Sequence, residues 1–301
     1  MYHCIIVESC DASERKKTMS LIKEILRGMV IGVANIIPGV SGGTMAVSMG
    51  IYDKMIYAVN HIRTEFKKSV LTLLPYVIGM GVGIAVLSFL ISFLFEEYPY
   101  QTSMGFIGLI LGGVPAIWNR VKDKKRSIGH YGVLILFLAG IILLEVFGGG
   151  KENVAVLEPG IAMTGILFGV GIIASATMVI PGVSGSMILM LLGYYTPILE
   201  EIKQFIRSGL ALDIPEILSS MGILVPFGLG VVAGIVLIAK LIGYLLEHAE
   251  VYTYMGILGL VFASPVVVFL QIEIGSIGIL GGIVGVLCLV LGTLVAGKMA
   301  E

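Results

Sequence analysis

Asn35-Ile-Ile-Pro-Gly-Val-Ser-Gly-Gly-Thr44 and Met178-Val-Ile-Pro-Gly-Val-Ser-Gly-Ser-Met187 are one phrase written twice in the same chain. Laid over each other, they place Pro38 on Pro181, Ser41 on Ser184, Gly50 on Gly193 and Tyr52 on Tyr195. At a slightly larger offset the match continues, with Pro75 on Pro226, Gly83 on Gly234, Glu96 on Glu247, Met104-Gly105 on Met255-Gly256 and Gly108-Leu109 on Gly259-Leu260. Self-similarity held over this much sequence marks an internal duplication. The reading is a polar N-terminal extension over 1–20, a first repeat over 21–150 and a second over 151–301.

The medium in which these repeats fold follows from composition. Of 301 residues, 57% are hydrophobic and 13% charged, against roughly 45–50% and about 25% in soluble domains. Apolar runs such as Leu71 to Phe95, Ile128 to Phe147 and Ile217 to Leu246 reach the roughly 20 residues that a bilayer-spanning helix needs. The 41 glycines fall mostly inside such runs, where membrane helices use them for close backbone approach. The fold class is therefore all-α, a polytopic membrane protein, multi-pass in the cytoplasmic membrane.

Each repeat reads as a Pro-Gly-broken segment followed by three spans. These cover about Leu71 to Phe95, Met104 to Trp118 and Ile128 to Phe147 in the first, and Ile217 to Leu246, Tyr254 to Leu270 and Ile277 to Ala296 in the second. The broken segment is either two short crossings or a re-entrant helix hairpin, and parity is the same for both. Three further spans then deliver the chain to the opposite side, so the two repeats are expected to be inverted. Arg15 to Lys23, His61 to Lys68, Arg120 to Arg126 and Lys298 hold most of the basic residues and share one side. The positive-inside rule makes that side cytoplasmic, with both termini. Glu96 to Tyr100, Lys151 to Glu158 and Glu200 to Asp213 read as external loops.

The breaks carry the chemistry. Proline removes a backbone donor, so Pro38-Gly39 and Pro181-Gly182 leave polar groups unpaired at membrane depth, which is tolerated only against protein or water. Ser41, Gly42, Gly43 and Thr44, and likewise Ser184, Gly185 and Ser186, would open a new short helix with N–H groups and hydroxyls facing an anion. Arg27 and Lys240 are candidate counter-charges, against the plainer readings of an interface anchor and a snorkelling lysine. Tyr52, Asp53, Lys54 and Tyr195 could line the mouth of a cavity, or stand in the interfacial belt.

Other chemistries find no support. Cys4, Cys10 and Cys288 form neither a disulfide framework nor a metal motif, and His3, His61, His130 and His248 are dispersed. No HExxH, GxSxG or paired-carboxylate cluster is present, so neither an enzyme nor a metal or cofactor is expected. A net charge of −1 and the lack of any basic module exclude nucleic acid as a partner.

Gly32-Val-Ala-Asn-Ile-Ile-Pro-Gly-Val-Ser-Gly-Gly-Thr44 followed by Gly50-Ile-Tyr52 resembles the signature of the bacterial and archaeal polyprenyl-phosphate transporters. The likeness extends from about Leu21 to Lys298 and includes the second break. It implies a flippase that returns undecaprenyl phosphate to the cytoplasmic leaflet for cell-wall biogenesis. The motif falls on Pro38, Gly39, Ser41, Gly42, Gly43 and Thr44, and on Pro181, Gly182, Ser184, Gly185 and Ser186. Proton or sodium coupling is left open. The competing readings are a secondary transporter or channel for a small anion, and a membrane enzyme acting on a lipid phosphate.

Overall fold

The computed structural model describes residues 19, 21–35, 40–148, 154–157, 160–270, 272 and 278–300; Pro38 and Gly39 lie outside them. Among the described residues every regular element is a helix. In the first half, α1 covers 21–34, α2 Gly42–Ser48 and α3 Tyr52–Asn60. A long segment follows as α4 (Phe66–Val82), a π-helical turn (Gly83–Leu87) and α5 (Ser88–Glu97), then α6 (Pro99–Trp118) and α7 (Ile128–Gly148). In the second half come α8 (Ile161–Val179), α9 (Gly185–Leu191), α10 (Tyr195–Ala211), α11 (Ile214–His248), α12 (Glu250–Leu270) and α13 (Ile279–Ala300). In chain order, α8 to α13 stand at the positions that the sequence match pairs with α1, α2, α3, α4 with α5, α6 and α7.

Among the described residues, seven helices are long and apolar enough to cross a membrane. Six are the spans expected from sequence. The seventh is α8, the leading arm of the second break, whose 19 residues correspond to about 28 Å of helix. Glu200 to Asp213, expected as an external loop, lies largely within α10. Its charges obscured a helical spacing of apolar residues, Ile198, Ile202, Phe205 and Gly209 on one face.

Lipid offers apolar side chains as good an environment as protein does, so helices here associate by close packing rather than by expulsion of water. Glycine is the device, and it acts at matched positions. A methyl group at Gly79 would stand 2.1 Å from the Ile25 carbonyl oxygen, and one at the equivalent Gly230 would stand 2.1 Å from that of Phe168. Thus α4 lies on α1 as α11 lies on α8. Gly108 of α6 presses on the Leu289 carbonyl of α13, and its equivalent Gly259 of α12 on the Leu134 carbonyl of α7. In this second set the third and second spans trade partners between halves. At the centre α6 and α12 also meet.

Both broken segments fold back on themselves. Lys54 of α3 pairs with Glu24 of α1, which brings the chain after the first break back to the start of α1. In the second half the Ala155 amide, just ahead of α8, donates to the Gly193 carbonyl after α9 at 2.9 Å.

Candidate functional site at the paired breaks

Residues that follow the first break, Gly43 and Thr44, meet the second break. Thr44, wholly buried, accepts a hydrogen bond through Oγ1 from the Gly182 amide at 2.7 Å. Gly43 lies so close to the second break that a β-carbon there would stand 2.9 Å from the Val179 carbonyl oxygen. Gly182 has φ +83°, a conformation glycine adopts at little cost, and its backbone rests on the Leu260 carbonyl of α12. The buried Pro181 lacks the N–H that would otherwise extend α8, so the ladder stops at Val179 and the chain turns.

Beside this junction lies a cavity of about 180 Å³, lined by Asn35, Val40, Ser41, Met178, Ser184, Gly185, Ser186 and Leu189. Its polar groups come from both breaks and none is acidic. Ser41 caps α2, accepting from the Gly43 amide at 3.2 Å, and Asn35 Oδ1 accepts from the Gly42 amide at 3.2 Å. Two of the N–H groups expected to face an anion are therefore held by the protein's own side chains. What remains available is the Asn35 amide N–H₂, the Ser41 hydroxyl proton and the Ser184–Ser186 pair, whose hydroxyl oxygens lie 2.7 Å apart. Ser184 does not cap α9 through its side chain.

The sequence candidates therefore sort into three places. Ser41, Ser184, Gly185 and Ser186 line the cavity, and Gly42 borders it through Asn35. Gly43, Thr44, Pro181 and Gly182 form the junction between the breaks. Arg27 and Lys240 are brought to neither. Arg27 donates from Nη2 to the Met299 carbonyl at the end of α13, where a cation suits the negative end of the helix, and Lys240 stands exposed on α11. Asn35 is the lining residue that the motif contained but that was not singled out. Its signal is a lone amide at the end of an apolar helix, facing Met178 in the repeat.

The halves are packed unequally. All seven residues of α2 are buried, whereas only Gly185 is buried in α9. Val47 and Met49 are 5% and 2% exposed, and their equivalents Met190 and Leu192 are 41% and 42% exposed.

The seven apolar helices found among the described residues define a multi-pass helical membrane protein, with a partly open cavity between its two broken segments. The chain belongs to the family described as undecaprenyl phosphate translocase-like, whose profile matches residues 31–279. It is 31% identical over 249 residues, 81% of this chain and 85% of the relative, to a polyprenyl-phosphate transporter of Staphylococcus aureus. To the polyprenyl-phosphate transporter of Vibrio cholerae it is 30% identical over 262 residues, covering 82% and 77% of the two chains. No solved structure matches it. These relatives are transporters and not enzymes, and among the described residues no cluster of His, Cys, Asp and Glu could hold a metal ion.

Proposed function

We propose that this protein transports a polyprenyl phosphate, undecaprenyl phosphate foremost, across the cytoplasmic membrane for reuse of the carrier lipid. The observation that carries the reading is the cavity between the breaks, with Asn35, Ser41, Ser184 and Ser186 as donors from both halves and no carboxylate among its lining residues. A phosphate monoester is rich in acceptors, and the bilayer centre resists bare charge by at least ~2.5–3.5 kcal/mol for a charged side chain. Hydroxyl and amide donors fixed at that depth take the place of water around the headgroup. The hydrocarbon tail stays in lipid while the headgroup crosses.

Alternating access follows from the architecture as we read it, with two inverted repeats and each break a re-entrant hairpin. The matched glycine contacts of α1 with α4 and α8 with α11, and the exchange of partners among α6, α7, α12 and α13, support a pseudo-two-fold relation. Under it, a buried α2 with a partly exposed α9 is one of two states, and the other has these roles exchanged.

The test is movement of undecaprenyl phosphate between leaflets of proteoliposomes, comparing wild type with Ser41→Ala, Ser184→Ala and Ser186→Ala. A hydrogen bond to a charged group contributes about 1.5–3 kcal/mol, so each variant is expected to weaken substrate affinity by roughly 10- to 100-fold. Equal lipid movement in protein-free and loaded vesicles rejects the proposal. Inorganic phosphate flux without lipid movement would replace it by a small-anion carrier.

Topology has its own check. In a cysteine-free background, Lys124→Cys and Lys203→Cys are expected to react with an impermeant thiol reagent from opposite sides of the membrane. Reaction of both from one side would overturn the inverted arrangement.

A further inference from the structure

A second polar cavity lies at the other end of α2. It holds about 120 Å³ and is bordered by Val47, Tyr52, Asp53, Arg120, Tyr254 and Ala300 among others. Since α2 has seven residues, at 1.5 Å each the two cavities sit about 10 Å apart along one short helix. The second lies toward the end of the molecule that carries the basic loop Arg120 to Arg126, since Arg120 borders it.

Elements from both halves close it. The first half supplies the end of α2, the start of α3 and the end of α6; the second supplies the start of α12 and the end of α13. Asp53 is the pivot. Its Oδ2 accepts the Tyr254 hydroxyl at 2.7 Å and stands 3.2 Å from Arg120 Nη2, so one carboxylate oxygen ties α3, the turn after α6 and α12 together. Three cations near it are engaged elsewhere, Lys54 with Glu24, Lys124 with Glu250 and Arg27 with the Met299 carbonyl. Arg120 is the cation that borders the cavity. Tyr52, 6% exposed, borders it too, and its buried hydroxyl has no hydrogen-bond partner. An unpaired buried hydroxyl is costly, and it is a donor that an oxyanion would satisfy.

The repeat lacks this arrangement. At the positions equivalent to Asp53, Arg120 and Tyr254 stand Thr196, Gln271 and Ser103. The charged set thus has no counterpart at the matching positions of the second copy.

We propose that Asp53, Arg120 and Tyr254 form the gate between the phosphate cavity and the basic-loop end, and that the gate opens when a lipid phosphate takes Arg120 from Asp53. The proposal rests on the transport reading given above. Carboxylate and phosphate compete for one guanidinium, the phosphate gains the Tyr52 hydroxyl as well, and the released Asp53 repels the anion onward. Arg120 and Tyr52 are thus substrate-contacting residues of the passage, and Asp53 is a positioning residue that holds the half-exposed Arg120 guanidinium across the cavity mouth until the phosphate arrives.

The experiment introduces Leu189→Cys, a lining position of the phosphate cavity, into the cysteine-free full chain. Its reaction with an impermeant thiol reagent is timed from the side on which Lys124→Cys reacts. Asp53→Asn is expected to speed that reaction at least ~10-fold, and the exchange Asp53→Arg with Arg120→Asp to restore protection. An unchanged rate in Asp53→Asn, or no recovery in the exchanged pair, overturns the gate. In undecaprenyl phosphate transport, Arg120→Gln is expected to lose at least ~10-fold more than Asp53→Asn. Equal losses overturn the exchange at Arg120. Labelling requires no lipid, so failure of the gate is separable from failure of the phosphate cavity, which the serine variants report. Thermal unfolding of each variant in detergent identifies any loss that is only misfolding.

Discussion

Gly182→Ala is expected to destabilise the protein by about 2–5 kcal/mol and to abolish transport. Two penalties fall on one methyl group. The backbone at φ +83° is a region that L-residues enter at a cost of roughly 1–2 kcal/mol. The new β-carbon would then stand 2.6 Å from the Leu260 carbonyl oxygen and 2.9 Å from Leu260 Cβ, an overpacking that typically costs about 1–3 kcal/mol. Neither neighbour can yield cheaply, because Leu260 lies in the middle of α12, surrounded by the buried Leu258, Val261 and Ala263. Relief must come from movement of the break, and the Gly182 amide is the group that bonds Thr44. Gly222→Ala is the control. It is exposed in α11 with nothing within 4 Å of an added β-carbon, and an α-helical glycine gains up to about 1 kcal/mol on becoming alanine. Thermal unfolding in detergent should therefore shift down for the first variant and be level or higher for the second. Coincident melting of Gly182→Ala and wild type would mean that the break is not held against α12 in this way.

The legible part of the fold was the part written in long-range composition. The six spans were marked by apolar length, and the matching of halves by residues such as Gly108 with Gly259, at each of which a backbone crosses. Less legible was what a charged, short segment does beside such spans. Residues 200–213 carry five acidic or basic side chains, Glu200, Glu201, Lys203, Arg207 and Asp213, which concealed α10. At the site, proline and glycine announced a turn, and the hydroxyls announced a polar space. Which hydroxyl faces the space and which closes the junction depends on contacts between residues more than a hundred positions apart, and one sequence does not carry that. Thr44 looked like one donor among several and is the acceptor that joins the halves. Arg27 looked like the counter-charge nearest the first break, yet the end of α13, a segment 272 residues away, takes its guanidinium.

The asymmetry between halves also has a sequence origin, at places where the repeat is imperfect. Thr44 faces Met187 in the second copy and Gly43 faces Ser186. A glycine at 43 lets α2 approach the Val179 and Met178 carbonyls, whereas Ser186 keeps its hydroxyl against Ser184. One break is thereby shaped to dock and the other to present donors. Under the proposed alternation, a strictly symmetric pair would have no preference for either state, and these substitutions would supply one.

Thr44→Val isolates the docking step. Valine has nearly the shape of threonine, so the packing of this fully buried position is kept, but the Gly182 amide loses its acceptor at 2.7 Å. A buried N–H left unsatisfied costs about 1–3 kcal/mol, and the cost falls on the state in which the breaks are joined. Thr44→Ser keeps the oxygen while deleting a methyl, and is expected to retain the junction with a smaller loss of packing. Lowered thermal stability and slowed lipid movement in Thr44→Val, with recovery in Thr44→Ser, would show that the hydrogen bond and not the volume matters. Thr44→Val as stable as wild type, with Thr44→Ser the worse of the two, would mean that the junction is held by packing of Gly43 on α8 alone. The comparison separates the two because only the oxygen reaches across the halves. In the proposed mechanism the two broken helices must be joined firmly enough to exclude water and weakly enough to part, and a single hydroxyl on a single amide is a bond of that strength.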